Sequence, residues 1–349
     1  MSHSKLTERE QLILRAVVHL YVTSAEPVGS RAIVKRFDLD ISPATVRNVM
    51  ADLEETDYLQ QRHTSSGRIP TDKGYRYYVD SLMQIQEATH EDRARIEANL
   101  SSQLRDSDEI LRQTSYLLSL ISHQTSIVES PRMSFARVDH IEIVLLGDHR
   151  LAFLLADNCG GVRTMVLQPE KVFSAEDTQR LSRFLNEQLH DTPVDSVAAS
   201  LEAKLRVFID EQRHLAEQAL ELLQMLPGDS SQRLFLEGTT QLFEQPEFHD
   251  VRKAQEVFGL LEERDRVLDL LRAGIVNPIP HPSRVVIGSE ARQEGFEELS
   301  MVSAPYEVDG KTVGMVGVLG PRRMSYSRLS GLVEYTATRL GNLLTRLAR

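Results

Sequence analysis

The segment from Ser42 to Glu54 constrains the fold of this chain most strongly. A serine followed by proline is a typical helix start, because serine caps free backbone N–H groups and proline fits the first helical position. Behind this pair, four apolar residues repeat with the spacing of one helix face: Val46, Val49, Met50 and Leu53. The segment predicts a short amphipathic helix whose opposite side is polar and faces outward.

Two further helical patterns precede this segment. Thr7 and Glu10 have the spacing of a capping box. The residues that follow place five apolar side chains on one face: Ile13, Ala16, Val17, Leu20 and Tyr21. Pro27-Val28-Gly29 breaks the pattern, and Ser30 is predicted to cap a second helix over Arg31–Phe37. The chain therefore opens with three short helices.

A hairpin is predicted directly after the third helix. Residues 58–62 read as a strand, residues 64–68 as a polar turn, and Ile69-Pro70-Thr71 begins a return strand. Three helices followed by a hairpin is the order of a winged helix-turn-helix. We therefore expect residues 1–80 to form a winged-helix DNA-binding domain.

The outward side of the third helix carries the residue types that read base edges. Arg47 can hold a guanine and Asn48 an adenine through paired hydrogen bonds. Ala44 and Thr45 could contact thymine methyl groups or phosphate, and Ser42 with the free N–H groups at the helix start suits a phosphate. The alternative is that Arg47 is a solvated charge, paired with Asp52 or Glu54.

The hairpin and the second helix supply further candidates. In the predicted wing, Gly67 serves the turn, Arg68 supplies a charge for the minor groove or the DNA backbone, and three small hydroxyl side chains allow close approach: Thr64, Ser65 and Ser66. A plain hairpin turn is the alternative. Ser30 and Arg31 could clamp a phosphate, and Lys73 and Arg76 could add phosphate contacts or be solvated surface.

Charge is distributed in a way that allows this interpretation. The chain carries a formal net charge of −11, which argues against a nucleic-acid partner at first sight. Residues 1–80, however, hold equal numbers of cationic and acidic side chains, 11 of each. The excess of acid lies entirely in the rest of the chain, so a local basic face remains possible.

The remaining residues predict an α+β multidomain protein. A helical linker is expected over 81–110, followed by strands from residue 138 to 167 and helices over about 174–190 and 201–226. After the break at Pro227-Gly228, a helix near 250–272 leads to strands near 284–288, 299–306 and 311–319 and to a long final helix. The helix-rich stretch resembles an insertion into an α+β domain.

Several functional classes find no support in the sequence. The single cysteine, Cys159, cannot form an internal disulfide, and the histidines lack metal-ligand spacing. No nucleophile elbow or His-Glu-x-x-His pattern is present. The N-terminus is polar, and no apolar run reaches the roughly 20 residues that span a bilayer. We expect a cytoplasmic protein that is not an enzyme and uses no cofactor.

Four stretches carry a resemblance to a known family: residues 43–54, residues 63–76, Phe235–Thr240 and Gly317–Tyr326. They are scattered over nearly the whole chain and closely resemble HrcA, the bacterial heat-inducible transcription repressors. The resemblance implies a winged-helix domain over 1–80, a GAF-like domain over 111–168 and 232–349, and an inserted dimerisation domain over 169–231.

The resemblance also implies a function. It implies a homodimer that binds an inverted-repeat operator in double-stranded DNA upstream of chaperone genes, and a chaperonin, GroEL, that keeps the repressor active until heat shock. Two alternatives stay open: a regulator gated by a small ligand in the GAF-like domain, and a scaffold whose helix-turn-helix contacts protein.

Overall fold

The computed structural model describes residues 6–61, 67–100, 107–131, 137–147, 149–158, 161–205, 210–225, 233–273, 275–276 and 282–347. The predicted wing residues Thr64, Ser65 and Ser66 lie outside this described part. Within it, no helix combines the length and apolar character needed to cross a bilayer.

The first module has the predicted order of three helices and a hairpin. Its elements are α1 (Glu8–Ser24), α2 (Ser30–Phe37), α3 (Pro43–Glu55), β1 (Leu59–Gln61) and β2 (Arg68–Pro70). Thr7 and Glu10 form the predicted capping box at the start of α1. The two strands pair antiparallel, with Gln60 opposite Ile69. The helices close over a shared apolar core of Ile13, Val17, Ile33, Val46 and Leu53.

The connection to the rest of the chain is only partly helical. It contains α4 (Asp72–Tyr77), a π-helical turn over Tyr78–Leu82, an irregular segment over 83–89, α5 (His90–Asn99) and α6 (Ser107–Ser122). The prediction of a helical linker over 81–110 is therefore wrong for residues 83–89, which form neither helix nor strand. The backbone of this segment bonds to the body instead of to itself: the Gln86 N–H donates to the Ser327 carbonyl at 3.1 Å.

After α6 the chain forms β3 (Thr125–Glu129) and then builds a separate inserted unit. This unit contains β4 (Val138–Gly147), β5 (Arg150–Asp157), β6 (Val162–Leu167), α7 (Ala175–Leu189), α8 (Val197–Leu205) and α9 (Asp210–Gln224). Within the described residues its three strands pair only with one another, and their inner side packs on the three helices. The boundary predicted at residue 168 is wrong, because strands β4–β6 share a core with the helices that follow them.

The body of the C-terminal domain is a six-stranded antiparallel sheet in the order β7-β3-β11-β10-β9-β8. The chain re-enters it through β7 (Leu234–Glu237), α10 (Thr239–Phe243), α11 (Val251–Glu262), α12 (Arg264–Ala273), β8 (Ile275–Val276), β9 (Arg284–Ile287), β10 (Leu299–Val308), β11 (Lys311–Pro321) and α13 (Tyr326–Leu347). Helices α6 and α13 cover one face, and α11 and α12 cover the other. Sheet and helices together give the predicted α+β class.

One apolar core runs from the winged helix into the body. It includes Ile13 and Leu53 of the first module, Val79 of the connection, and Leu332 and Leu340 of α13, all of them fully buried. Because burial of apolar surface is the main force that holds elements together, the first module is packed on the body rather than tethered to it. The same contact places α3 at a fixed distance from the C-terminal domain.

Candidate nucleic-acid interface

Helix α3 begins as its first two residues predict. Ser42 is the N-cap, its Oγ accepts a hydrogen bond from the Thr45 N–H at 3.1 Å, and Pro43 occupies the first turn. The four predicted core residues, Val46, Val49, Met50 and Leu53, are all buried. Capping and burial together fix which side of α3 turns outward.

The outward side of α3 presents Ala44, Arg47 and Asn48, all of which are exposed, with Thr45 half-buried beside them. Among the described residues, no carboxylate pairs with the Arg47 guanidinium. Glu54, one of the two candidate partners, pairs with Arg68 instead. The alternative pairing of Arg47 with Asp52 or Glu54 is therefore not observed. The N-terminal half of α3 thus offers a free cation and an amide beside the positive end of the helix dipole.

The start of α2 differs by one residue from the prediction. Gly29 is the N-cap, and Ser30 is the first helical residue and is buried. The prediction of Ser30 as the cap is therefore wrong, because the extended backbone that a cap requires occurs at Gly29. Arg31 is exposed on the first turn, where a phosphate could approach it.

The described part of the wing contacts the residues before α2 on one side and α3 on the other. Gly67 has no positive φ; instead, a side chain there would place its Cβ 2.5 Å from the Val28 carbonyl carbon and oxygen. This close approach lets the Arg68 N–H donate to the Val28 carbonyl at 2.9 Å. The Arg68 side chain pairs with Glu54 of α3, at 2.8 Å between Nε and Oε2. Arg68 therefore lies at the base of the hairpin and fastens the wing to α3.

The side chains of Lys73 and Arg76, on α4, both bind other groups of the protein. The Lys73 Nζ donates to the Thr56 carbonyl at 2.7 Å, and the same atom lies 4.4 Å from the centre of the Tyr58 ring. Lys73 thus satisfies a carbonyl at the C-terminal end of α3. Arg76 is buried and forms ion pairs with Asp80 and with Glu290 of the body. The predictions of phosphate contact or solvated surface for Arg76 are wrong, because its guanidinium faces the C-terminal domain.

The candidate interface therefore consists of α3, the first turn of α2 and the base of the wing. The structure brings together Ser42, Ala44, Thr45, Arg47 and Asn48 on one short helix, and joins Arg68 to it through Glu54. The sequence interpretation missed the role of Glu54. An acidic residue fourteen positions before the wing arginine was the available signal, but spacing alone does not predict a pair across a turn.

Two family profiles match this chain. One, described as "Winged helix-turn-helix transcription repressor, HrcA DNA-binding", matches residues 5–83, and the other, described as "HrcA protein C terminal domain", matches residues 108–329. Between them they cover most of the described helices and strands, including α3 and the body sheet.

Full-length relatives have the same description. The "Heat-inducible transcription repressor HrcA" of Geobacter sulfurreducens is 40% identical over 342 residues, which cover 97% of this chain and 98% of the relative. The protein of that name from Shouchella clausii is 38% identical over 346 residues, covering 99% of this chain and all of the relative. A solved structure described as a hypothetical protein aligns with a TM-score of 0.62 at 22% identity, covering 99% of this chain and 100% of that one, and supports the fold.

Proposed function

Because this chain belongs to the HrcA family of heat-inducible transcription repressors, we propose that it binds an inverted-repeat operator as a homodimer and represses chaperone genes until heat releases it. The coarse function, a transcription repressor with a DNA-binding winged helix, follows from family membership. The operator, the dimer and the control by heat are the proposal.

The observation that carries the proposal is the outward half of α3. Arg47 and Asn48 are exposed on a helix whose other side is fully packed, so their hydrogen-bonding groups are available to a ligand. A helix of this size fits the major groove, and its N-terminal residues are those that contact base edges in helix-turn-helix proteins. Arg31 and the Ser42 hydroxyl stand where phosphate contacts would set the register of the helix.

A titration tests DNA binding directly. The full chain is titrated onto an inverted-repeat duplex taken from upstream of chaperone genes, and onto a duplex of scrambled sequence, at about 50 and about 200 mM salt. Specific binding predicts higher affinity for the inverted repeat at both salt concentrations and a steep loss with salt for both duplexes. Equal affinity for the two duplexes, or affinity that does not depend on salt, would contradict the proposal and favour a protein-binding role.

The proposed dimer is supported by the outer face of the inserted sheet. Register places Val144 of β4, Ala152 of β5 and Val166 of β6 side by side, on the face opposite the core that packs on the helices. Val144 is 41% exposed and Val166 58% exposed, and Val162 on the same face is 66% exposed. An apolar patch of this kind on a three-stranded sheet is typical of a surface that a second copy covers.

Charged substitutions test the dimer. Val144→Glu combined with Val166→Glu places carboxylates in the patch and should convert the protein to a monomer in analytical ultracentrifugation. Val251→Glu is the matched control, because Val251 is 70% exposed on α11, outside the inserted sheet. A double variant that sediments like the control would exclude this face as the interface.

We propose heat control through the limited stability of the repressor. Proteins are stable by only a small margin, so partial unfolding of the dimer at stress temperatures would release DNA, and a chaperonin would restore the folded form. Operator affinity is measured against temperature, with and without GroEL and its nucleotide. The proposal predicts a loss of binding over a narrow temperature range that GroEL reverses. Constant affinity, or a loss that GroEL does not change, would contradict it.

A further inference from the structure

Helix α4 connects the winged helix to the body through one of its faces. Asp72, Tyr75 and Arg76 have i, i+3 and i+4 spacing and all point toward the C-terminal domain, where they meet the 3-10 turn Gly288–Ala291 and the start of α13. We call Asp72, Arg76, Glu290 and Arg322 the interdomain latch.

All three nitrogen atoms of the Arg76 guanidinium donate hydrogen bonds. Nε and Nη2 donate to the two carboxylate oxygens of Glu290 at 2.7 and 2.5 Å, and Nη2 also donates to the Val285 carbonyl at 2.8 Å. Nη1 donates to Asp80, one helical turn along its own chain, at 3.1 Å. Burial by itself would lower the pKa of Arg76, but the hydrogen bond and the charge of Glu290 outweigh it, so the pKa is raised and the side chain stays cationic.

Asp72 provides the second attachment. Its carboxylate accepts from the Ser289 N–H at 2.9 Å and from Arg322 Nη1 at 2.7 Å. Gly288, with φ of +47°, makes room for it, since a Cβ there would lie 2.5 Å from Asp72 Oδ2. Arg322 continues to Glu298 of the body at 2.8 Å. The Tyr75 ring packs edge-on against Tyr326, with 5.8 Å between the ring centres.

The segment after α4 adds a third attachment on the same side. Residues 83–89 lie across α13, where a side chain at Gly331 would place its Cβ 1.9 Å from the Gln86 carbonyl oxygen. This glycine therefore allows the connecting backbone to lie directly on the helix. The contacts of α4 and of this segment thus join the described parts of the two domains at several points.

The same short helix, α4, also contacts the recognition helix. Lys73 of α4 donates to the Thr56 carbonyl at the end of α3, and α4 follows directly from wing strand β2. A single short helix thus fixes α3 through Lys73 and the body through Arg76. Together with the shared apolar core, these contacts hold α3 in one orientation relative to the body.

We propose that Arg76 is a positioning residue for operator binding, which fixes α3 relative to the body so that a dimer accepts only one spacing between operator half-sites. The inference rests on the proposed function, because it requires a dimer on an inverted repeat. A fixed angle matters because the second half-site is bound at high effective concentration only when both helices reach their grooves together. A winged-helix domain that can rotate relative to the body would bind several half-site separations with similar affinity.

The test is a spacing series with the full chain. Inverted repeats are built with the half-site separation changed in single base pairs over about half a helical turn, roughly 5 bp, in each direction, together with a duplex that holds one half-site. We expect wild type to lose roughly tenfold or more in affinity at the worst spacing. Arg76→Ala should lose less than about threefold between spacings, bind the best spacing more weakly than wild type, and bind the single half-site within about twofold of wild type.

Matched variants separate positioning from folding. Arg266→Ala removes a comparable arginine, which pairs with Glu263 at 3.0 Å and donates to the Glu294 carbonyl at 2.7 Å, but entirely within the C-terminal domain. It should keep the wild-type spacing profile. If Arg76→Ala does not fold, Glu290→Gln keeps the size of the partner and removes its charge, and should also flatten the profile. Arg76→Lys keeps the charge without the paired hydrogen bonds and should give an intermediate profile.

The proposal is overturned if the folded latch variant keeps the wild-type profile, if it binds the best spacing more tightly than wild type, or if it loses single half-site affinity in the same proportion. Failure of the proposed function gives a different result, in which wild type itself binds the inverted repeat no better than the single half-site.

Discussion

Replacement of Arg47 by alanine is expected to weaken operator binding without weakening the fold. Arg47 is exposed on α3, and among the described residues it has no carboxylate partner, so its removal breaks no ion pair within the described protein. Exposed positions of this kind change the free energy of unfolding by no more than about 0.5 kcal/mol, and alanine is a good helix former. The substitution should therefore lower the affinity for DNA and leave the free energy of unfolding of the free protein nearly unchanged.

The size of that cost can be worked out for the dimer. One arginine that holds a guanine through two hydrogen bonds contributes about 1–3 kcal/mol, or roughly 5- to 150-fold in affinity. Both subunits of a homodimer carry the substitution, so the inverted repeat should lose about 2–6 kcal/mol, while a single half-site loses about half of that. Asn48→Ala should behave in the same way at an adenine position.

Fluorescence anisotropy with labelled duplexes measures the loss, and chemical unfolding of the same samples measures stability. Arg252→Ala, at an exposed arginine on α11, is the control and should bind like wild type. Two results would refute the reasoning: an affinity loss for Arg47→Ala no larger than that of the control, or an equal loss on DNA of scrambled sequence. The second would mean that Arg47 contacts phosphate rather than a base.

Three further predictions concern the stability of the fold. Ser42→Ala removes the α3 cap and should lower the free energy of unfolding by about 1 kcal/mol in urea titrations, whereas an unchanged midpoint would contradict the cap geometry. Gly74→Ala should destabilise by about 1–3 kcal/mol, because its Cβ would lie 2.1 Å from the Tyr58 carbonyl oxygen. Gly259→Ala, which has open space around it in α11, should stabilise by about 0.5–1 kcal/mol; equal effects of the two would exclude the steric explanation. Burial alone would raise the pKa of Glu298, but the charges of Arg322 and Lys253 lower it, so its stabilising contribution is present above the usual glutamate pKa and lost as pH falls through the lowered value. The difference in melting temperature between wild type and Glu298→Gln should accordingly shrink from about pH 6 to about pH 3, and a difference that grows would reverse the assigned sign.

The sequence predicts the recognition helix well because its signals are local. The cap at Ser42, the proline after it and the apolar spacing from Val46 to Leu53 all lie within one short segment, and each is observed. Arg47 and Asn48 are outward for the same reason. Their contacts with bases remain a prediction.

Strand pairing and the limits of the insertion are not predictable in the same way. Strand β3, near the start of the C-terminal domain, lies between β11, near its end, and β7, which follows the inserted unit. Ser126 pairs with Glu237, more than a hundred positions along the chain. Composition predicts that β4–β6 are strands but does not indicate which sheet they join. The predicted start of the insertion therefore lies too late in the chain.

Arg76 illustrates the same limit for single side chains. In the sequence it is a charged residue on an exit helix, and its decisive partner, Glu290, lies 214 positions away. Nothing local distinguishes it from Lys73, which lies three residues before it and is exposed. Only the packing of the two domains shows that Lys73 contacts α3 and that Arg76 belongs to the latch.

Methylation interference on the inverted repeat tests most directly whether α3 reads DNA in the major groove. Methyl groups on guanine N7 occupy that groove, so at the bases read by Arg47 they should block binding of wild type and lose their effect for Arg47→Ala. If guanine N7 methylation interferes nowhere in either half-site, or interferes equally with wild type and Arg47→Ala, α3 is not the reading element and the account fails.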